Sequence, residues 1–264
     1  MNVLVGPADV PPGARLLDVR WVLGGPHGRP EYLAGHIPGA VFVDLEEDLA
    51  GEGEGRHPLP AVADLQAAAR RWGLREGQPV VVYDGGDGMA AARAWWTLRW
   101  GGIEDVRILD GGLPAWDGEL ETGDVTPERG DVVLRGGGMP VLDADGAAAL
   151  ARDGVLLDAR TGERFRGETE PIDPVAGHIP GAHNAPAAGN LAADGTYLSA
   201  EELRERYEAL GVAHGVAVGA YCGSGISAAQ DVVALQLAGY SAALYPGSWS
   251  AWCADPRRPV ATGT

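Results

Sequence analysis

The chain says nearly the same thing twice, and that repetition limits its fold more than any other feature. Leu16-Leu17-Asp18-Val19-Arg20 returns as Leu156-Leu157-Asp158-Ala159-Arg160, and Ala34-Gly35-His36-Ile37-Pro38-Gly39-Ala40 returns unchanged at residues 176–182. Val80 to Asp84, ahead of a glycine-rich turn, answers Val216 to Cys222. Asp110-Gly111-Gly112-Leu113-Pro114-Ala115-Trp116 is echoed by Tyr245 to Trp252, with one residue inserted. Self-similarity at so long a period means a duplicated folding unit, and 264 residues are enough for two domains with a core each. We expect a first domain at 1–122, a second at 141–264, and a linker at 123–140, where Gly, Pro and charge replace hydrophobic periodicity.

Strand-like and helix-like stretches alternate in each copy, the pattern of an α/β fold with a central parallel sheet flanked by helices. In the first copy Leu65 to Trp72 and Ala90 to Trp100 read as helices, and Val80 to Tyr83 and Val106 to Leu109 as buried strands. In the second, Val155 to Asp158, Val216 to Tyr221 and Ala242 to Tyr245 read as strands. Ser199-Ala200-Glu201-Glu202 reads as a capping box opening a helix that runs to Leu210.

Because the copies match, each is a control on the other. What they share is architectural: His36 and His178 are expected to be structural, and Arg20 and Arg160 to be ion-pair partners. Where they differ, chemistry is to be sought, and Cys222 is answered by Asp84, which cannot serve as a sulfur nucleophile. Tyr221-Cys222-Gly223-Ser224-Gly225-Ile226-Ser227-Ala228 is a strand end that breaks into a glycine loop and restarts as a helix. Such a loop aims several backbone N–H groups and a partial positive charge at one point, which favours the thiolate form of a cysteine placed there. Cys253, within Trp252-Cys253-Ala254, reads as packing, and two cysteines make no disulfide framework.

Composition removes other classes. A net charge of −17 excludes a broad nucleic-acid or anionic-membrane surface, so an anionic substrate has to be held locally. The chain has no lysine, so its permanent cations are arginines, the better bidentate partners of carboxylate or sulfonate, a bias that genomic composition also produces. No metal or organic cofactor is expected, since ligand spacing, dinucleotide and P-loop patterns are missing. Met1 to Pro12 does not read as a secretory signal, and no stretch reads as a membrane span, so the cytoplasm is the default expectation.

Two such repeats, with Cys222 in the second and Asp84 in the first, resemble a tandem rhodanese-domain sulfurtransferase over nearly the whole chain. Val-Val-Tyr-Asp-Gly before the Trp95-Trp96 helix is similar to the inactive first domain of that family. The resemblance implies two rhodanese-like α/β domains and a Cys222 persulfide that passes sulfane sulfur from a small anionic donor to a thiol, a thioredoxin-like acceptor or cyanide. The loop from Cys222 to Ala228 resembles that of 3-mercaptopyruvate sulfurtransferases, and assigns Gly223, Gly225, Ile226 and Ser227 to donor binding. Thiosulfate-preferring relatives carry Arg and Lys after the cysteine, where Gly223 and Ser224 stand here; a monoanionic donor suits that better.

Glu163-Arg164-Phe165-Arg166-Gly167 is similar to a family motif whose first arginine holds the donor's anionic end, which gives Arg164 that role. The second arginine of the mercaptopyruvate enzymes is replaced by Ile172 after Glu170-Pro171, and Arg166 reads as an exposed salt-bridging residue. Asp44-Leu45-Glu46 and His57-Pro58-Leu59-Pro60 resemble the paired acid and histidine of those enzymes, so that Glu46, His57 and Ser224 are expected to form a proton relay. A cysteine phosphatase would need an arginine six residues after the cysteine, where Ala228 stands. A thiosulfate:cyanide sulfurtransferase and a non-enzymatic persulfide carrier remain as alternatives. A monomer is expected, since two fused domains bury the interface that a single one would share.

Overall fold

Four successive apolar residues, Val80–Tyr83, lie fully buried as the centre of a parallel sheet, the setting in which a continuous β-branched run is favoured over an alternating one. The computed structural model describes residues 2–264. It divides into two compact units: Met1–Glu52, Leu59–Met139 and Ala193–Thr196 form unit 1, and Gly53–Pro58, Pro140–Ala192 and Tyr197–Thr264 form unit 2.

Unit 1 carries β1 (Leu4–Val5), β2 (Arg15–Asp18), β3 (Val41–Phe42), β4 (Val80–Tyr83) and β5 (Val106–Leu109) in the order β1-β5-β4-β2-β3, all parallel. Its helices are α1 (Arg29–Ala34), α2 (Leu45–Asp48), α3 (Val62–Arg71) and α4 (Met89–Trp100). Apolar almost all round, α4 buries both Trp95 and Trp96. Unit 2 carries β6 (Val155–Asp158), β7 (His183–Asn184), β8 (Val218–Tyr221) and β9 (Ala243–Leu244) in the order β7-β6-β8-β9, again parallel. Its helices are α5 (Ala144–Asp153), α6 (Gly162–Phe165), α7 (Ala200–Glu208), α8 (Ser227–Leu237) and α9 (Ser248–Trp252). The capping box at Ser199 is complete, with Glu202 N donating to Ser199 Oγ and Ser199 N donating to the Glu202 carboxylate.

Strand β8 is shorter than its hydrophobic run, because Val216 sits in a turn, its N–H donating to Ala213 O, and the register with β6 starts at Val218. Residues 123–140, read from composition as a linker, carry little regular structure, and 123–139 dock on unit 1. Gly130 N donates to Arg70 O at 2.8 Å, Leu134 N to Gln66 Oε1 at 3.0 Å, and Val132 and Leu134 are buried. A side chain at Gly130 would meet Leu74 O at 1.9 Å, so the strap needs glycine to lie that close.

The repeated motifs build the same polar frame in each unit. Arg20 pairs with Asp18 and Arg160 with Asp158, at 3.0 and 2.6 Å. Ile37 N donates to Tyr83 Oη and Ile179 N to Tyr221 Oη, each at 3.1 Å. His36 Nδ1–H donates to Tyr32 O and stacks on that ring, and His178 Nδ1–H donates to Phe165 O and stacks likewise. These are the structural roles that their presence in both copies implies. Among the described residues, no helix is long and apolar enough to cross a membrane.

Candidate active site

Cys222 follows directly on β8, and α8 begins at Ser227, so five loop residues, Cys222 to Ile226, join the end of a buried strand to a helix N-terminus. Gly225, at φ 79°, turns the chain back so that its own N–H donates to Cys222 Sγ at 3.0 Å. A bond of this kind strengthens as the sulfur gains negative charge. Cys222 is itself fixed by α9: its N–H donates to Ser248 Oγ at 3.1 Å, and its carbonyl accepts from Trp249 N at 2.9 Å. Gly223 O likewise accepts from Ser250 N at 3.0 Å. Ser248 holds φ at 53°, a left-handed conformation costing about 1–2 kcal/mol in a residue with a side chain.

Over the face of Gly223 stand two guanidinium groups. A methyl group on Gly223 would come within 2.7 Å of Arg56 Nη2 and within 3.6 and 3.7 Å of Arg164 Nη2 and Nη1. Arg164, just past the start of α6, makes a two-pronged pair with Glu170 at 3.1 and 2.6 Å and reaches Asp173 at 3.5 Å. Arg56 pairs with Asp173 through Nη1. Glu170 also accepts from Arg160 and from the backbone N–H groups of Ile172 and Asp173. Burial pushes the Glu170 carboxyl up, but its bonds from Arg164 and those amides outweigh it and leave the group below the ordinary range. For Asp173 burial prevails over Arg56 and the group stays above that range.

Of the residues singled out in the sequence, unit 2 therefore gathers Cys222, Gly223, Ser224, Gly225, Ile226, Ser227 and Arg164 around one loop, and it also contains the buried His57. Ser224 and Ile226 are buried, and Ser227 opens α8. Glu46 lies in unit 1, in the first turn of α2, where Oε1 accepts from the Trp21 indole at 3.0 Å. Arg166 pairs at the surface with Glu168 at 2.7 Å, the role expected of it. Both cysteines are unbridged and buried. Among the described residues, no group of three or more His, Cys, Asp or Glu side chains is close enough to share a metal ion.

The rhodanese-like domain profile matches this chain twice, over residues 8–119 and 143–255. The chain belongs to the rhodanese family. A Mycobacterium tuberculosis protein provisionally named thiosulfate sulfurtransferase SseB is 53% identical over 261 residues, covering 94% of this chain and 91% of that protein. A Pseudomonas aeruginosa protein provisionally named 3-mercaptopyruvate sulfurtransferase is 48% identical over 265 residues, covering 96% and 93%. Among solved structures, the 3-mercaptopyruvate sulfurtransferase SseA of Escherichia coli superposes with a TM-score of 0.84 at 32% identity, covering 95% of this chain and 100% of that one.

Three residues around this rhodanese loop escaped the sequence reading. Arg56 was legible only as part of a charged, Gly-rich loop, although it stands next to His57 and the missing arginine at Ile172 called for a replacement. Ser248 could have been found from the repeat. Leu113 N donates to Asp84 O as Trp249 N donates to Cys222 O, which aligns the two ends without the insertion read from sequence and sets Gly112 opposite Ser248. Asp173 left no trace in sequence as the partner of both arginines.

Proposed function

We propose that the chain is a sulfurtransferase that carries sulfane sulfur on Cys222, with 3-mercaptopyruvate the favoured donor. The observation supporting this reading is the meeting of a sulfur held by a loop N–H with two guanidinium groups over the adjacent glycine. The donor's carboxylate is held by Arg164 with Arg56 beside it. The Cys222 thiolate attacks the donor sulfur, the carbon–sulfur bond breaks with its electron pair going to carbon, and the thiol proton ends on that carbon. Pyruvate leaves, and Cys222 keeps a persulfide. Ser224 and His57 carry that proton. The Gly225 N–H stabilises negative charge on sulfur before and after transfer. An acceptor thiolate then attacks the outer sulfur, leaves as its own persulfide and regenerates the Cys222 thiolate.

Thiosulfate is the second reading, supported by the two cations where a doubly charged donor would bind; there the sulfur–sulfur bond breaks and sulfite leaves. The names of the M. tuberculosis and P. aeruginosa relatives divide along the same line. The test is steady-state transfer to one thiol acceptor from each donor in parallel, for wild type and His57→Ala. A higher kcat/KM with 3-mercaptopyruvate that falls in His57→Ala is the expected result. A preference for thiosulfate would reverse the donor assignment, and absence of turnover with either would leave a persulfide carrier as the better account.

A further inference from the structure

The charges around the donor position balance. Arg56, Arg160 and Arg164 meet Asp158, Glu170 and Asp173. Their acids are not equivalent. Asp158 and Glu170 are fixed by the frame: the first belongs to the duplicated Asp–Arg pair, and the second accepts from two backbone N–H groups and two arginines. Asp173 belongs to neither frame. Its side chain is 5% exposed, and its partners are the two guanidinium groups that stand over Gly223. Arg56 spends Nη1 on Asp173 and keeps a buried Nε with no hydrogen-bond partner among the described residues, a donor edge left for something else.

We propose that Asp173 is a specificity-determining residue that cancels the charge of Arg56 and so favours a singly charged donor over a doubly charged one. This rests on the sulfurtransferase reading above. A carboxylate donor needs one guanidinium, and Arg164 can supply it while Arg56 stays paired. The second negative charge of thiosulfate needs a second cation, and it competes for Arg56 with a carboxylate already in place and already desolvated. Specificity is here a difference set by a repulsive element, since the aspartate costs the dianion more than the monoanion.

The test is the ratio of kcat/KM for thiosulfate to that for 3-mercaptopyruvate, with one thiol acceptor, in wild type, Asp173→Asn, Arg56→Gln and the double variant. Asp173→Asn is expected to raise the ratio about tenfold, or about 1.4 kcal/mol, with a steeper salt dependence of the thiosulfate KM. The double variant is expected to lose that gain, because the gain belongs to the freed Arg56. Arg56→Gln alone leaves the Asp173 carboxylate without its cation and is expected to lower the ratio, which keeps the proposal open to test should Asp173→Asn fold poorly. A ratio unmoved in a cooperatively melting Asp173→Asn overturns it, as does a double variant whose ratio stays as low as that of Arg56→Gln. Failure of wild type to turn over either donor takes down the sulfurtransferase reading and this proposal together. Turnover of both donors with an unmoved ratio overturns this proposal alone.

Discussion

The loops after β4 and β8 start from the same place and end in opposite chemistry. In unit 1 the Asp84 carboxylate occupies its own loop: Oδ1 accepts from Gly86 N and Gly88 N at 2.9 and 3.2 Å, and Oδ2 from Ala91 N at 3.0 Å. Burial and the neighbouring Asp87 push that carboxyl up in spite of those amides. In unit 2 a sulfur takes the place of the carboxylate, with one loop N–H on it. A methyl group on Gly85 would meet none of the described residues within 4 Å, whereas on Gly223 it would meet two arginines. A loop that supplies its own anion is a finished structure. A loop that supplies a nucleophile and has cations beside it is set to receive an anion from outside.

Moving the cysteine is the strongest way to break that contrast. Cys222→Ser is expected to lower turnover to background, and Cys222→Ser combined with Asp84→Cys to stay there, because the guanidinium groups belong to the other loop. Trapping of a persulfide on Asp84→Cys by mass spectrometry, together with restored turnover, would mean that the loop amides suffice and the arginines are ornament.

A second contrast lies one helical turn further on, at matched positions of α4 and α8. Unit 1 buries Arg93, whose Nη2 donates to Leu49 O at 3.0 Å; unit 2 buries Asp231, which accepts from Asn190 Nδ2 at 2.7 Å and Tyr207 Oη at 3.3 Å. Burial pushes the Asp231 carboxyl up to about 7 against the pull of Asn190, Arg206 and Tyr207. A group whose folded pKa lies above its unfolded one binds its proton longer in the folded state. The Asp231 contribution to stability is therefore fully present below about pH 4 and is lost as pH rises through about 7, by on the order of 4 kcal/mol at most. Asp231→Asn is expected to flatten that loss, so that its urea midpoint relative to wild type climbs from pH 5 to pH 8. Parallel midpoints across that range would show Asp231 to be ionised throughout.

The arginines sharpen the contrast at the site itself. Arg164→Gln removes charged hydrogen bonds to the donor, worth about 1.5–3 kcal/mol, and is expected to lower kcat/KM roughly 10- to 100-fold. If the loss fell on kcat alone with KM unchanged, Arg164 would be acting on the transition state rather than anchoring the donor.

Much of this was legible in the sequence because the chain carries its own alignment. The buried strands β4 and β8, the α4 and α8 helices and the structural histidines all follow from hydrophobic runs or from motifs present in both copies. What stayed hidden depends on contacts between distant segments. Asp173 and Arg56 stand 117 positions apart in the chain, and neither periodicity nor spacing links them. The docking of residues 123–139 was hidden for a related reason: the strap's hydrogen bonds run mainly to backbone groups of 70–76 and 100–101 and to the side chains of Gln66, Arg70 and Glu76, none of which shows as a hydrophobic pattern.

The smallest effect lies where the copies come nearest to agreeing. Gly112 takes φ 61° and Ser248 takes φ 53° at the same point, each just ahead of the N–H that bonds the carbonyl of Asp84 or Cys222. Glycine pays nothing for that angle, and serine pays about 1–2 kcal/mol. The return is the hydroxyl that accepts from Cys222 N while donating to Tyr245 O at 2.8 Å. Ser248→Ala keeps the strain and orphans a buried N–H, whereas Ser248→Gly orphans the N–H but releases the strain. The alanine variant is therefore expected to be the less stable of the two by about 1–2 kcal/mol in urea. If alanine matches glycine, the serine angle carries no strain, and the active loop differs from its silent twin by side chains alone.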